Sequence, residues 1–506
     1  FATVPGAGHM ENWPIRSRAF KAWLGGMFWR EQGKVPSSNA LQDAITVLEG
    51  AALYGGPVEQ AFVRIAGCNG KVYLDLANGS WDVVEIDATG WRMVTGCPIR
   101  FRRPRGMGAS PIPQSGGNLE ELRSLLSIED DDTWVMTEAW MVAALSPVGP
   151  YPVLGLTGEQ GAGKSMLTYC IKSSVDPSSV SFRGIPKEQR DLLIAASNSW
   201  VLAFDNLSGI PDWLSDAFFR LRTGGGITAR ELYTDGDEVF FDAKRPIILN
   251  GISEVATRAD LLDRTLLQSV PQLAQGKRKT EKQILAQFEA MRPRVLGALL
   301  DAVSCAIRRL PEVNLSTLPR MADFATWVTA AEPALGLNKG GFMAAYTRNM
   351  AEGNSIALST SPIVSPLLAL LKGDSWEGTA GELLGQLEAV VGEHETNKKH
   401  WPKAPHALSS ALKRLAPNLR KEGWDIGFDR SGTTRTIRIK RVAQEASRAS
   451  EASRGNLGDE NRDASGVPND ASTTVEGNGA SQANRSRDDA HDAQIHSSLK
   501  GDVVEV

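Results

Sequence analysis

Along the chain the apolar residues change period several times, and each change marks a different kind of element. Residues 12–66 carry helical spacing, as in AFKAWLGGMFWR and ALQDAITVLEGAALYG, and predict a small helical unit. Over residues 72–101 the pattern turns to strands. KVYLDLA, WDVVEID and GWRMVTG are rich in β-formers and separated by Asn78-Gly79 and Thr89-Gly90, which predicts a compact β meander. Residues 106–118, rich in Gly, Pro and Ser, read as a linker. Beyond it, residues 119–147 predict one or two helices, 152–156 a short buried strand, and 165–172 and 188–197 helices. Residues 200–204 form an apolar strand ending in Asp205-Asn206, and 246–249 a third buried strand ending in Asn250. Helical patterning dominates 282–350. Helices near 363–372, 378–391 and 404–421 then lead into paired strands at 424–429 and 433–440 around Ser431-Gly432, the outline of a winged helix. Residues 443–506 contain no aromatic residue and are dominated by Ala, Ser, Asn, Asp, Gly and Arg, a composition that predicts disorder.

Length and charge narrow the picture only a little. A chain of 506 residues holds several domains, and its net charge of −4 gives no global nucleic-acid footprint, so any such binding must come from local patches. One lies in residues 398–441, where twelve Lys and Arg stand against three Asp and Glu, a local charge of +9. Arg100, Arg102, Arg103 and Arg105 form a second basic cluster, either a phosphate contact or a solvated edge. The cysteines Cys68, Cys97, Cys170 and Cys305 are scattered without a C-x-x-C pair, which argues against zinc and fits reduced thiols in the cytoplasm. The longest apolar run is broken by Pro147, Gly149, Pro150 and Pro152, so no membrane partner is expected. The six histidines leave the stretch between His9 and His394 empty, which removes histidine-based chemistry from the middle of the chain. The chain opens with Phe1 directly into structured-looking sequence, so the natural protein is expected to extend upstream.

The most specific chemistry sits between the strand at 152–156 and the helix at 165–172. Gly158, Gly163, Lys164 and Ser165 satisfy G-x-x-x-x-G-K-[ST], the phosphate-binding P-loop pattern. Glycines let the backbone wrap a polyphosphate while successive N–H groups and a helix N-terminus face its charge. The lysine reaches the outer phosphates and the hydroxyl ligates Mg²⁺, so ATP and Mg²⁺ are the expected cofactors, with Glu159, Gln160, Gly161 and Ala162 completing the loop. An apolar strand ending in Asp205 about forty residues later is the expected second half, its carboxylate holding the Mg²⁺ beside Ser165. Asn250 is placed to orient water or sense the γ-phosphate; the alternative is a turn residue before Gly251.

This order of motifs resembles the superfamily III helicases, a branch of the AAA+ ATPases found in phage and plasmid replication proteins and in primase–helicases. The resemblance covers residues 130–275 and implies an α/β P-loop NTPase core of AAA+ type. Around it stand an N-terminal α+β region, a helical region and a C-terminal winged helix. The segment FRLRTGGGITARELY, from Phe219 to Tyr233, resembles the intermediate motif that faces the DNA channel, which makes Arg222, Arg230 and Lys244 candidate DNA contacts. DLLDRTL resembles the segment carrying the arginine finger, with Arg264 first and Arg258 second; a salt bridge with Asp260 or Asp263 is the competing reading. Arg320 is either a second nucleotide sensor or an ion-pair partner of Asp323. One departure stands out. Where the family has an acidic general base after the Walker B aspartate, this chain has Asn206, so the base is absent or comes from Glu159, Asp212 or Asp216. In the winged-helix-like region Lys413, Arg414, Arg430 and Arg435 are the expected DNA contacts, though such folds also serve protein contacts.

The expected organisation is therefore an N-terminal region over 1–105, a linker over 106–118, an ATPase core over 119–275, a helical region over 276–360, a winged-helix-like domain over 361–441 and a disordered tail over 442–506. The implied activity is an ATP-driven DNA motor in phage, prophage or plasmid replication. It would act as a hexameric ring, with a primase as possible partner. The alternative is an ATP-switched initiator or loader with slow hydrolysis.

Overall fold

The computed structural model describes residues 1–442 apart from 7, 95, 208, 225–226, 231–237, 242–243, 252–258, 273–278, 372–374, 399 and 432–433. The expected disordered tail lies outside the described residues.

The centre of the molecule is a four-stranded, all-parallel sheet. Its strands are Val153–Thr157, Leu202–Leu207, Ile247–Gly251 and Thr265–Ser269. Their spatial order is Leu202–Leu207, Ile247–Gly251, Val153–Thr157, Thr265–Ser269. These strands are short apolar runs because helices cover both faces, as a parallel sheet requires. The P-loop helix Lys164–Val175, the helix Asp131–Ala144 and the long helix Glu281–Arg309 share one core with Leu154, Leu156 and Leu266. Gln189–Asn198 and Asp212–Thr223 pack with Val153, Phe204 and Leu249 in a second core. Two buried tryptophans brace the base of the sheet, Trp140 Nε1 donating to the Pro152 carbonyl at 3.0 Å and Trp200 Nε1 to the Ala144 carbonyl at 2.7 Å.

The N-terminal region begins with a hairpin, Ala2–Pro5 with Met10–Trp13, followed by helices Arg18–Gln32 and Ser38–Gly55. Both helices start on serine caps, Ser17 accepting from Phe20 N and Ser37 from Ala40 N. The expected helical unit over 12–66 is corrected at its end: Gly55-Gly56-Pro57 stops the helix, and Ile65–Cys68 joins the meander as a fourth strand. The other three meander strands are Lys71–Asp75, Val83–Asp87 and Gly90–Val94. Strand alternation sends Val72, Leu74, Val84 and Ile86 into the core shared with the parallel sheet and Tyr73 and Val83 into a smaller cluster with Phe101.

Residues 106–118 contain no helix and no strand, but they are pinned to their neighbours. Gly108 N donates to Pro177 O, Ser110 N to Leu76 O and Gln114 N to Pro293 O. A Cβ on Gly117 would lie 2.0 Å from the Arg294 carbonyl oxygen, so only glycine fits that contact.

Beyond the sheet, helices Glu281–Arg309, Ala322–Ala331 and Gly341–Ser359 confirm the helical patterning. The C-terminal part sets helices Val364–Leu370, Ala380–Val391 and Pro405–Lys421 against an antiparallel sheet. Trp424–Ser431 and Thr434–Arg441 pair as expected, while a third strand, Ser375–Thr379, was hidden in sequence because SWEGT carries no apolar alternation. Their shared core includes Leu383, Leu408, Leu412, Ile426 and Ile439. Among the described residues no helix is long and apolar enough to cross a membrane.

Candidate nucleotide site

The sheet topology explains why the predicted site residues meet. The chain leaves the P-loop strand, skips one position to Leu202–Leu207 and returns to fill the gap with Ile247–Gly251, so the loops carrying Ser165, Asp205 and Asn250 emerge side by side at the carboxyl ends of the strands. Ligands of open parallel sheets bind at such switch points.

The loop itself is shaped by three glycines in left-handed or more extended positive-φ conformations, Gly158 (φ 148°), Gly161 (φ 82°) and Gly163 (φ 86°). Gly158 is also a close approach: a Cβ there would stand 2.4 Å from Val270 O. Lys164 is buried, and its Nζ donates to the carbonyls of Gly158 (2.9 Å) and Glu159 (2.8 Å), so the ammonium lies inside the curl of the loop. At the start of the helix, Ser165 Oγ donates to Asp205 Oδ2 at 2.9 Å across forty residues of chain.

Asp205 reaches that position through a break in its own ladder. Leu202–Leu207 pairs with Ile247–Gly251 in register through Phe204 and shifts register before Leu207, and Asn206 sits in the left-handed region at φ 57°. Such irregularities re-aim side chains next to functional sites, and Asn is one of the few non-glycine residues that tolerates that backbone. Asn206 N donates to Asp205 Oδ1 at 2.7 Å, which fixes the carboxylate further. Asn250 is 1 % exposed; its Nδ2 lies 3.5 Å from Thr168 Oγ1 on the P-loop helix, and its Oδ1 is buried with no partner among the described residues. Gln160, Gly161, Gly163, Lys164, Asp205 and Asn250 are among the residues lining one cavity of about 460 Å³. Met166 also lines it, with no distinctive pattern in sequence to mark it.

This geometry suits a polyphosphate bound with Mg²⁺. The curl leaves no room for a side chain at Gly158, the Lys164 ammonium sits within it, and a hydroxyl and a carboxylate already touch at its mouth. Among the described residues no cluster of three or more His, Cys, Asp or Glu offers a metal a closed protein cage.

Other predicted residues fall elsewhere. Arg264 lies at the opposite end of the sheet, preceding Thr265, which pairs with Val153, and its guanidinium covers the Phe219 ring at 4.2 Å. Asp263 takes other partners: Arg320, and Lys421 Nζ at 3.0 Å. The expected pairing of Arg320 with Asp323 is therefore corrected to Asp263. Arg222 is corrected as a DNA contact. It belongs to the last turn of Asp212–Thr223, is 2 % exposed, and donates to Tyr151 O at 3.3 Å and Met321 Sδ at 3.5 Å. Burial, with Arg264 and Arg320 nearby, pushes its pKa down to about 9. Lys244 is half-buried, with Nζ donating to Gly149 O at 3.3 Å. Arg230 ends the strand Ile227–Arg230, paired with Glu238–Phe241, and its side chain lies outside the described residues, as does Arg258. Glu159 accepts from Gln272, Asp212 opens its helix, and Asp216 follows in the next turn. In the C-terminal part Lys413, Arg414, Arg430 and Arg435 are exposed. Arg420, Lys421 and Arg438 are instead tied to Asp425, Asp263 and Glu377.

Comparison with known families places the chain in a replication context. Residues 119–353 match the family described as actinomycete integrative conjugative element replication protein. The chain resembles a replication protein. Residues 363–453 match the C-terminal domain of the same kind of protein, AICE RepA, so the two matches follow one another along this RepA-like chain. No curated protein matches in sequence. Among solved structures, the apo C-terminal region of NrS-1 (A form) aligns over 83% of this chain and 90% of its own, at 11% identity and TM-score 0.36. JCV helicase aligns over 46% of this chain and 72% of its own, at 13% identity and TM-score 0.22. The anticipated DNA replication role is thus supported.

Proposed function

We infer that the chain is an ATP-binding and ATP-hydrolysing DNA motor of a replication module. The observation that carries this reading is the 2.9 Å contact between Ser165 Oγ and Asp205 Oδ2 at the mouth of a loop whose curl holds Lys164. Loop N–H groups and Lys164 would take the β- and γ-phosphates of ATP, and Ser165 and Asp205 would hold Mg²⁺ between them. The chemistry such an ion would supply there is neutralisation of charge on the phosphate oxygens. Asn250, with one buried acceptor still open, would orient the attacking water. Arg264, remote from its own site, would reach the γ-phosphate of a neighbouring copy, which implies a ring, with six subunits as the resemblance suggests. Lys413, Arg414, Arg430 and Arg435 would bind DNA phosphates from a winged helix, the reading that best fits three helices and a three-stranded antiparallel sheet. A cytoplasmic protein working beside a primase completes the proposal.

Asn206 favours a second reading. An amide positions water but takes no proton, so an ATP-switched initiator or loader with slow turnover fits the same site. Binding of a fluorescent ATP analogue tests what the two readings share. Lys164→Ala should abolish binding, and Asp205→Ala should keep binding while losing Mg²⁺-dependent turnover. Wild-type affinity in Lys164→Ala would refute both.

A further inference from the structure

The N-terminal helices Arg18–Gln32 and Ser38–Gly55 bury little for their length, Phe20 being the buried residue of the first and Ile45 of the second. A groove of about 420 Å³ runs along them, lined by both helices and by the turn that joins them. Arg18, Lys21, Ala22, Gly25 and Trp29 recur at i, i+3, i+4, i+7 and i+11, so one face of the first helix forms one wall. Val35, Pro36 and Leu41 complete the lining. Gly25 makes the floor. A Cβ there would lie 3.9 Å from Leu41 and 3.9 Å from Pro36, an ordinary contact, so the glycine leaves a slot between those two side chains. The walls are open: Trp29 is 59 % exposed and Val35 84 %. At one end stand two cations, Arg18 exposed and Lys21 half-buried, with no Asp or Glu in the lining. Neither makes an ion pair among the described residues.

An apolar slot with cations at one end asks for an amphipathic segment that carries acids at the matching end. The chain contains one, outside the described residues. Over 443–506 the large apolar residues are Leu457, Val467, Val475, Ile495, Leu499, Val503, Val504 and Val506, so five of the eight crowd into 495–506. Ile495, Leu499, Val503 and Val506 fall at i, i+4, i+8 and i+11, a stripe about 80° wide on a helix of 3.6 residues per turn. On the same geometry Asp502 and Glu505 flank that stripe along one edge.

We propose that the groove is the docking site of the chain's own segment Ile495–Val506. The segment lies antiparallel to Arg18–Gln32, with Ile495 and Leu499 toward Trp29 and Pro36. Asp502 and Glu505 then meet Arg18 and Lys21, which fixes the direction of docking. Reach does not limit it. Residues 443–494 could span up to about 170 Å, several times the width of a compact body of some four hundred residues. The same chain is the favoured source because a tethered segment competes at a high effective concentration, whereas one from a second copy does so only at its bulk concentration. No part of this docking depends on ATP or DNA, so it can fail separately from the motor reading.

The test is fluorescence anisotropy of a fluorescein-labelled peptide of residues 490–506 with two full-length chains, wild type and Leu499→Ser/Val503→Ser, whose own segment is silenced. The silenced chain should bind the peptide at least tenfold more tightly than wild type, in which the tethered segment already fills the groove. Gly25→Leu in the silenced background fills the slot and should weaken binding at least tenfold. Arg18→Glu/Lys21→Glu should weaken it by a similar factor, and a peptide carrying Asp502→Lys/Glu505→Lys should restore it on that chain to within threefold, a rescue that a misfolded variant would not show. The proposal is overturned if wild type and silenced chain bind the peptide equally, or if the reversed peptide binds the charge-reversed chain no better than the native peptide does. Protection in wild type that fades on dilution would overturn the same-chain assignment and point to a second copy as the occupant.

Discussion

One buried guanidinium ties the N-terminal meander to the region of the parallel sheet, and removing it should be costly. Arg64 is 0 % exposed, and its five N–H donors are all used: Nε to Asp176 Oδ1 (3.0 Å), one terminal nitrogen to Asp75 O (2.9 Å) and Ser110 Oγ (3.3 Å), the other to Gly108 O (2.7 Å) and Pro177 O (3.0 Å). Asp176 ends the P-loop helix, and its second oxygen accepts from Trp200 N (3.1 Å) and Val201 N (2.9 Å), at the approach to the aspartate strand. Burial alone would raise the Asp176 pKa, but Arg64 and Lys172 outweigh it and hold the carboxyl below its ordinary value. Arg64→Ala takes from that buried carboxylate the cation bonded to it and removes a donor from four other acceptors. Breaking one partner of a buried pair costs about 3–5 kcal/mol. For a unit of a few hundred residues, about 4 kcal/mol lowers Tm by roughly 8–16 °C. Thermal unfolding followed by circular dichroism reads it. The stabilisation is full above the unfolded pKa of an aspartate and is lost as pH falls through the lower folded pKa, so the gap between wild type and variant should close on acidification. A Tm loss below about 2 °C at pH 7 would refute the reasoning.

Three further outcomes follow from particular residues. Glu138 is 2 % exposed with a partnerless Oε1 among the described residues, and burial, with Glu120 adding repulsion, pushes its pKa up to about 8. The folded state then holds a proton that the unfolded state releases, so this residue costs stability increasingly from about pH 4.5 to pH 8, and Glu138→Gln should gain about 2 kcal/mol at pH 7–8 and little at pH 4 in urea titrations. A gain independent of pH would contradict this. Arg222→Met should leave DNA affinity within twofold, because the residue is buried, whereas Lys413→Ala/Arg414→Ala should weaken DNA binding about tenfold and reduce its salt dependence in filter-binding assays. Asn206→Asp keeps a residue that tolerates φ 57° and adds a proton acceptor, so kcat for ATP hydrolysis should rise at least tenfold; an unchanged kcat would place the base elsewhere.

How much of this was legible in the sequence depended on the range of the forces involved. The P-loop was readable because its geometry is local: Gly158 to Ser165 specify their own turn and helix start. Asp205 and Asn250 were readable as ends of apolar runs, since parallel strands buried on both faces have to be apolar. What periodicity does not carry is which strand fills the gap beside the loop, and therefore that Ser165 and Asp205 touch. Arg222 was misjudged because charge reads as exposure in sequence, whereas the fold seats that side chain under Tyr151 and Met321. Arg64 was invisible for the same reason: its partners are up to 113 positions away, and their carbonyls leave no mark in side-chain chemistry. Ser375–Thr379 escaped because it is held by ladder bonds to Thr434–Arg441 and not by apolar alternation.

The measurement that bears most directly on the central reading is steady-state ATP hydrolysis by the full chain, with and without single-stranded DNA, beside Lys164→Ala. A motor built on this site should hydrolyse ATP faster when DNA is added, with both the basal and the stimulated rate lost in the variant. Equal rates in wild type and Lys164→Ala would contradict the site itself, and tight ATP binding with turnover indifferent to DNA would contradict the motor in favour of the switch.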